Sequence, residues 1–398
     1  MVEEKVREGY KSTVVGVIPE DWVILKLDDV CTSINDGTHH TPKYVEDGIP
    51  FYSVENITDN NFTSTKYISQ EEHLKLIRRC LPEKGDILMT RIGTLAKTKL
   101  INWDVNASIY VSLALLKMNK KIYSKYFYEY SKSSRFVESV EKRSLMNATP
   151  KKINMGEINE IPIPLPPIKE QKSIANVLSD TDELITSLQK LIDKKEKIKK
   201  GAMQKLLTGE KRLPGFDGEW EETELGELYT ITAGGDLDKD SFSKNKTNTF
   251  CYPIYSNGLT KKGLYGYSSK YIYDGNKVTV TARGTIGCAN YRKIKFCAIG
   301  RLLILSPNIE INNFLISEII NTLIEFKLES TGVPQLTAPK IRGYKIRIPK
   351  DIKEQKAIAQ ILSDMDNEIE ALNKKLNKYK KIKQGMMEEL LTGRIRLI

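Results

Sequence analysis

Few side chains in this 398-residue chain could make or break a bond. Histidine occurs only at His39, His40 and His73, and the second half of the chain has none. Adjacent residues project in different directions, so His39 and His40 make a poor metal pair. The five cysteines, Cys31, Cys80, Cys251, Cys288 and Cys297, are scattered, odd in number and lack a C-x-x-C spacing. That pattern fits a reducing cytoplasm rather than a disulfide framework. There is no G-x-x-x-x-G-K-[ST] loop for nucleotide phosphates and no G-x-G-x-x-G opening a βαβ unit. There is also no Asn-Pro-Pro-aromatic or Asp-Pro-Pro-aromatic tetrapeptide of the kind an amino-methyltransferase needs, and the carboxylates form no convincing pair. Neither a bound metal nor a covalent mechanism is expected. What remains is the chemistry of recognition, carried by basic, amide and hydroxyl side chains in loops.

Charge distribution says what those loops face. The net charge is +11 with a pI near 9.1. Residues 20–59 carry 9 acidic and 2 basic side chains, and residues 60–152 carry 8 acidic and 18 basic. The second half repeats this: 9 acidic and 1 basic over 217–240, then 5 acidic and 16 basic over 241–349. Each half opens acidic and turns basic, which reads as two copies of a polyanion-facing domain.

A longer repeat supports the duplication. Residues 168–209, beginning IKEQKSIANVLSD and ending KLLTG, align without a gap on 352–393, beginning IKEQKAIAQILSD and ending ELLTG, with 24 of 42 positions identical. Entrances to the halves also correspond: IPEDW, ending at Trp22, matches PGFDGEW, ending at Trp220, each Trp being expected as a core anchor. Between entrance and repeat, short β-branched and aromatic runs broken by Gly, Asn and Pro predict a twisted mixed sheet with long loops. The segment from Asp86 to Arg91, Gly93 and Thr94 aligns with that from Lys277 to Arg283, Gly284 and Thr285, so that both strands end at an Arg beside Gly-Thr. Short helical patterns follow in SKYFYEYSKSSRFVESVEKR and NNFLISEIINTLIEFKLE. The loops SLMNATPKKIN and STGVPQLTAPKIRG then lead toward the repeat.

Each repeat predicts one long helix. Pro166, Pro167 and Pro349 mark the N-terminal side, Asp351 with Glu354 suits a capping box, and Gly209 and Gly393 suit left-handed C-terminal caps. About 40 residues give roughly 60 Å of helix. Apolar residues recur at the four–three spacing of a coiled-coil seam: Ile174, Leu178, Ile185, Leu188 and Ile192 in the first copy, and Ile358, Leu362, Met365, Ile369, Leu372 and Leu376 in the second. The two copies are each other's obvious partners. The first has a further row at Val177, Leu184, Leu191 and Ile198, which faces either another subunit or its own globular domain. Lysine-rich stretches 194–200 and 378–383 read as solvated helix faces. No run approaches the length of a membrane span, and the charged start MVEEKVREGYK carries no signal peptide, so a cytoplasmic location is expected.

In this order and duplication, the motifs resemble those of the specificity subunit of type I restriction–modification enzymes. They are G-Y-K…I-P-x-D-W at 9–22, G-D-I-L…R-x-G-T at 85–94, I-P-L-P-P…E-Q at 163–171, and L-L-T-G-x-x-R-L at 206–213 and again at 390–397. Lys350-Asp351 replaces Pro-Pro in the second copy, and Lys277-Val-Thr-Val replaces G-D-I-L. The resemblance implies an α+β fold: two pseudo-repeated mixed α/β target recognition domains separated by two long antiparallel coiled-coil spacer helices. Domain 1 would span 1–167, the central spacer helix 168–209, domain 2 210–349 and the C-terminal spacer helix 350–398. It implies a non-catalytic subunit that reads a bipartite site in double-stranded DNA and binds two methylation subunits and restriction (translocase–nuclease) subunits. S-adenosylmethionine, ATP and Mg would belong to those partners, with no cofactor and no catalytic residue in this chain. The helix length would act as a ruler for the gap between half-sites.

Base edges are read by Arg, Lys, Asn, Gln, Ser and Thr, while phosphate contacts set position. On that basis the DNA-binding candidates in the first domain are Thr38, His39, His40, Lys43, Arg91, Thr94, Lys97, Asn147 and Lys151. In the second they are Asn257, Lys261, Lys262, Tyr265, Tyr267, Arg283, Thr285 and Gln335. Arg91 and Arg283 could equally brace the Gly-Thr turn. The flanking row Val177, Leu184, Leu191 and Ile198 is the candidate contact for a partner subunit. Three alternatives remain open: the specificity subunit of a B-type system that cuts on both sides of its site, a coiled-coil scaffold that binds only proteins, and a stand-alone DNA-modifying enzyme. Sequence-selective DNA binding by the assembled complex would separate the second from the main reading, and turnover by the chain alone would revive the third.

Overall fold

A computed structural model describes residues 7–145, 147–326 and 334–398. Met146, residues 1–6 and 327–333, which hold the end of the second helical pattern and the first part of the second basic loop, therefore lie outside the described residues. The chain forms two compact units. Unit 1 joins residues 1–189 to 375–398, and unit 2 is residues 190–374. The unit boundaries fall inside the long helices rather than at their ends.

Unit 1 is built on two small sheets. One is antiparallel in the order Cys31–Asp36, Leu113–Met118, Ile87–Thr90, Thr98–Leu100. The apolar runs ILMT and LALL occupy its two middle strands, where both faces are covered, and every residue of Ile87–Thr90 is buried. The other is mixed, in the order Ser108–Ile109, Ile49–Tyr52, Lys66–Ile68, Tyr44–Val45, its first pair parallel. The helical pattern SKYFYEYSKSSRFVESVEKR after these strands forms two helices, Ser124–Tyr130 and Ser134–Lys142. Ser133 supplies the break, because its hydroxyl caps the second helix by accepting from Phe136 N at 3.3 Å.

Unit 2 repeats the plan. Its antiparallel sheet runs Tyr229–Ala233, Leu303–Pro307, Lys277–Val280, Ala289–Arg292, and its mixed sheet runs Phe242–Ser243, Leu264–Ser268, Tyr252–Tyr255, Cys297–Ala298. The helix Asn313–Leu323 packs on the former, and Asn312 caps it by accepting from Leu315 N. In each unit a two-stranded ribbon closes the domain: Val23–Lys26 with Pro162–Leu165, and Trp220–Glu224 with Lys345–Pro349.

The long helices span Ile168–Leu206 and Ile352–Leu390, 39 residues each. Within each unit a piece of one pairs antiparallel with a piece of the other. In unit 1, Ile174 and Leu178 share a core with Leu390 and Leu391, and Asp182 pairs with Lys383. In unit 2, Lys195 meets Glu368 at 2.7 Å and Lys199 meets Asp366 at 2.6 Å. Of the seam residues, Ile174, Leu178, Leu188, Ile192, Ile358, Leu362 and Leu376 are buried, while Ile185, Met365, Ile369 and Leu372 are half-buried. Each fully buried Leu or Ile contributes about 1.5–3 kcal/mol.

The repeated motifs hold each helix to its domain. In unit 1 Arg396 binds Glu170 at 2.7 and 2.8 Å and Asp21 at 2.9 and 2.7 Å, while Trp22 Nε1 donates to the Glu170 carboxylate at 3.2 Å. In unit 2 Arg212 takes Glu354 bidentately, both bonds 2.7 Å, and the buried Trp220 Nε1 has no hydrogen-bond partner. Glu354 is thus committed to a buried ion pair and does not complete the expected capping box, although Asp351 does accept from Lys353 N at 2.8 Å. The neighbouring glutamines bind backbone in both units: Gln171 accepts from Tyr123 N and Gln355 from Asn312 N. Gly209 and Gly393 have the expected left-handed φ, +73° and +71°. A Cβ on Gly393 would come within 2.4 Å of Pro19, and one on Gly209 within 3.2 Å of Trp220, so L-T-G also lets the chain pass beneath each entrance.

Candidate nucleic-acid interface

Unit 1 gathers several candidate residues around one buried ion pair. Arg91 and Asp36 are 7 % and 3 % exposed. Arg91 Nη1 donates to Asp36 Oδ2 at 3.1 Å and to the Val111 carbonyl at 2.9 Å, and its Nε donates to the Ile153 carbonyl at 3.3 Å. Burial pulls the guanidinium below its usual value, with Asp36 opposing that shift. His39 Nε2 lies 2.9 Å from Asp36 Oδ2, and Arg79 reaches Asp36 Oδ1 at 2.6 Å. Loop 36–40, the turn after strand Ile87–Thr90 and the segment near Lys151 are thereby tied together, and Gly93 N bonds to the Lys151 carbonyl at 2.8 Å. His39, His40, Lys43, Thr94, Lys97, Asn147 and Lys151 are exposed, whereas Thr38 is buried, its hydroxyl 3.1 Å from His40 Nδ1. Arg91 lies beneath this surface and braces it. Arg79, whose side chain is 61 % exposed, was not among the candidates although it sits on the same hub. The basic end of the helical pattern QEEHLKLIRRC was the only signal for it.

Unit 2 builds the same frame on an amide. Asn257 accepts from Ala282 N at 2.7 Å and donates to the Gly300 carbonyl at 2.6 Å, so it is a brace. Arg283 projects outward and donates to Gln335 Oε1 at 3.1 Å. Thr285, Lys261, Lys262 and Tyr265 are exposed and Tyr267 is half-buried. Lys261 and Lys262 both adopt left-handed φ, 50° and 54°, a costly conformation for two consecutive lysines. Beneath them Arg292 donates to the Lys262 carbonyl and to Thr279 Oγ1, both at 2.8 Å, and its guanidinium lies 3.6 Å from the centroid of the Tyr255 ring. Burial pushes Arg292 down to about 10. Arg292 too was missed, since a lone Arg after the run CANY carries no spacing signal.

The hydrogen-bond register keeps the gap-free alignment of 86–94 with 277–285 and separates the two arginines. Thr90 N bonds to the Lys97 carbonyl and Ala96 N to the Thr90 carbonyl, while Thr281 N bonds to the Cys288 carbonyl and Gly287 N to the Thr281 carbonyl. Thr90 therefore matches Thr281, Arg91 matches Ala282 and Ile92 matches Arg283. Gly93 and Gly284 still correspond, both with left-handed φ. An offset of one residue moves a side chain to the opposite face, so the two arginines are not equivalent: one points in and the other out. The strand pairings extend the match, because Asp36 opposes Ala114 where Ala233 opposes Leu303. The buried pair of unit 1 is thus replaced by two alanines.

Along the first long helix, Val177, Leu191 and Ile198 are 37, 39 and 47 % exposed, and Leu184 is half-buried. The row is not consumed by the helix's own domain. Among the described residues no group of three or more His, Cys, Asp or Glu side chains is placed to hold a metal, and no helix is long and apolar enough to cross a membrane.

Comparison with known proteins agrees with this architecture. The family model for the type I restriction modification DNA specificity domain matches twice, over residues 19–200 and 217–381. The MjaX specificity subunit of Methanocaldococcus jannaschii is 29 % identical over 98 % of this chain and 97 % of its own length. The type I restriction enzyme MjaVIII specificity subunit of the same organism is 27 % identical over 96 % and 94 %. The crystal structure of a type I restriction–modification S subunit from M. genitalium shares the fold, with a TM-score of 0.66 at 18 % identity, covering 93 % of this chain and 96 % of that one. With two matched domains joined by paired long helices, the chain belongs to the type I restriction–modification DNA specificity family.

Proposed function

We propose that each unit reads one half of a bipartite site in double-stranded DNA, through the loops braced by Asp36–Arg91 in unit 1 and by Asn257 in unit 2. The observation that carries this reading is the duplication itself: one sheet plan, built twice, presents basic and polar loops from the same strand ends. In unit 1 the reading surface is His39, His40, Lys43, Arg79, Thr94, Lys97, Asn147 and Lys151. In unit 2 it is Lys261, Lys262, Tyr265, Tyr267, Arg283, Thr285 and Gln335. Arg283 is the strongest base-reading candidate, because Gln335 fixes its fork while other N–H groups stay free for a guanine edge. The chain itself supplies no catalysis. Two methylation subunits and the restriction subunits bring S-adenosylmethionine, ATP and Mg, and the apolar row Val177, Leu184, Leu191 and Ile198 supports docking of a methylation subunit on the first helix.

Methylation mapping of a host with and without this gene tests the assignment, since a bipartite methylated sequence should vanish with the gene. Arg283→Ala should relax one position of one half-site, at about 1–3 kcal/mol of discrimination, and leave the other half-site unchanged. A map that does not depend on the gene would remove the proposal.

A further inference from the structure

Each unit has a cleft between the later part of a long helix and its own globular domain, and the two clefts occupy equivalent positions. In unit 1 it measures about 490 Å³ and is lined on the helix side by Lys380, Lys383, Gln384, Met387, Glu388 and Thr392. In unit 2 it measures about 760 Å³, and the matching residues are Glu196, Lys199, Lys200, Met203, Gln204 and Thr208. The opposite walls differ. Unit 1 contributes Ser133, Ser134 and Arg135, the start of helix Ser134–Lys142, whereas unit 2 contributes Asn321, Thr322 and Leu323, the end of helix Asn313–Leu323. The helix dipole therefore places a positive end in the first cleft and a negative end in the second.

Side chains reinforce that contrast. In unit 1, Lys383 and Lys132 are answered by Asp182 and Glu129. Arg135, Lys380 and Arg394 face the cleft; Glu388 is the one acidic residue among its lining, and Arg394 Nη1 also meets Glu389 at 3.3 Å, which leaves its other N–H groups toward the cleft. Arg135 Nη1 is buried without a hydrogen-bond partner, and Lys380 has no ion-pair partner among the described residues. Burial pulls the Arg135 guanidinium below its usual value, and the nearby Arg394 adds to that shift. In unit 2, Lys199 is held by Asp366 and Glu318, and Glu196 stands where Lys380 does.

We infer that the unit 1 cleft is a docking site for a protein segment bearing an acidic side chain, received by Arg135, Lys380 and Arg394, and that the unit 2 cleft is not. Met387 and Leu391 give the cleft an apolar floor, which suits a carboxylate carried beside an aliphatic residue. That floor and the buried Arg135 Nη1 favour a protein side chain over a backbone phosphate. The source of the segment rests on the proposed assembly with partner subunits, but the site's chemistry does not.

The test uses the full chain and fluorescence anisotropy with two probes, a labelled twelve-residue peptide of alternating Glu and Leu and a labelled random-sequence duplex. The peptide should bind saturably, and Lys380→Glu with Arg394→Glu should weaken it about tenfold or more, equivalent to about 1.4 kcal/mol. Lys200→Glu in the other cleft should leave peptide binding unchanged. Arg135→Gln is the gentler second variant, and circular dichroism checks the fold of each. No saturable peptide binding, an unchanged affinity in the double variant, or an equal loss from Lys200→Glu would overturn the inference. So would a duplex affinity that falls as much as that of the peptide, which would make the surface a phosphate contact. Methylation mapping remains a separate readout, so failure of the cleft and failure of the DNA-reading assignment are distinguishable.

Discussion

Beneath their loops, the two units solve one packing problem with different chemistry. At the end of the central strand unit 1 buries an arginine against an aspartate, with His39 and Arg79 on the same carboxylate. Unit 2 has alanines at both matching positions and stitches the loops with Asn257. In both, the segment after the turn is held by the same backbone bond: Ile153 N to the Arg91 carbonyl, or Leu336 N to the Ala282 carbonyl. Backbone pairing thus keeps the frame, while the hub beneath the loops is free to change. Two domains of one plan can then present unlike surfaces, one with histidines and one with paired left-handed lysines.

The contrast is most directly broken at the ionic hub. Removing one member of a buried ion pair strands the other charge, at about 3–5 kcal/mol. Arg91→Met should fall toward the lower end, because Arg79 and His39 still face Asp36. Hydrogen exchange should lose protection in strands Cys31–Asp36 and Leu113–Met118 and keep it in Tyr229–Ala233 and Leu303–Pro307. Equal loss in both units would mean that the hub is not local. Asn257→Ala should act the other way round and more weakly. It leaves Ala282 N and the Gly300 carbonyl unanswered, at about 1–3 kcal/mol, and deprotects the unit 2 strands alone.

Much of this was legible in the chain because helical and motif repeats are local signals. Both 39-residue helices and the left-handed glycines followed from spacing and residue type. The E-Q and L-L-T-G-x-x-R-L motifs were visible, but their meaning was not, since Arg396 meets Glu170 only after folding brings the last residues to the first helix. The gap-free alignment already set Arg283 against Ile92, but the consequence of that offset was hidden for a physical reason. R-x-G-T and R-G-T look alike in a line of letters, yet one residue of slip turns a side chain from the interior to solvent. Arg79 and Arg292 escaped notice because their importance lies in contacts distant in sequence. The doubt over Arg91 was settled only by its burial.

The clamps at the helix starts extend the comparison to its smallest expected effect. Arg396 holds both Glu170 and Asp21, whereas Arg212 holds Glu354 alone. Hydrogen bonding to Arg396, aided by its charge, keeps the Asp21 carboxyl below its usual value. A depressed folded value means stabilisation that is complete above the ordinary carboxylate range, near pH 4, and lost as pH falls through the folded value. Asp21 is half-exposed, so solvent screening limits the contribution to about 0–1 kcal/mol. Asp21→Asn should therefore lower the urea midpoint of unit 1 slightly at pH 6, less so in high salt, and the deficit should shrink as pH falls below the ordinary carboxylate value. Fluorescence of Trp22, with Trp103 and Trp220 replaced by Phe, reports on that unit. A deficit of the same size at pH 3 would assign the loss to packing rather than charge, and would make the unit 1 clamp equivalent to its unit 2 counterpart.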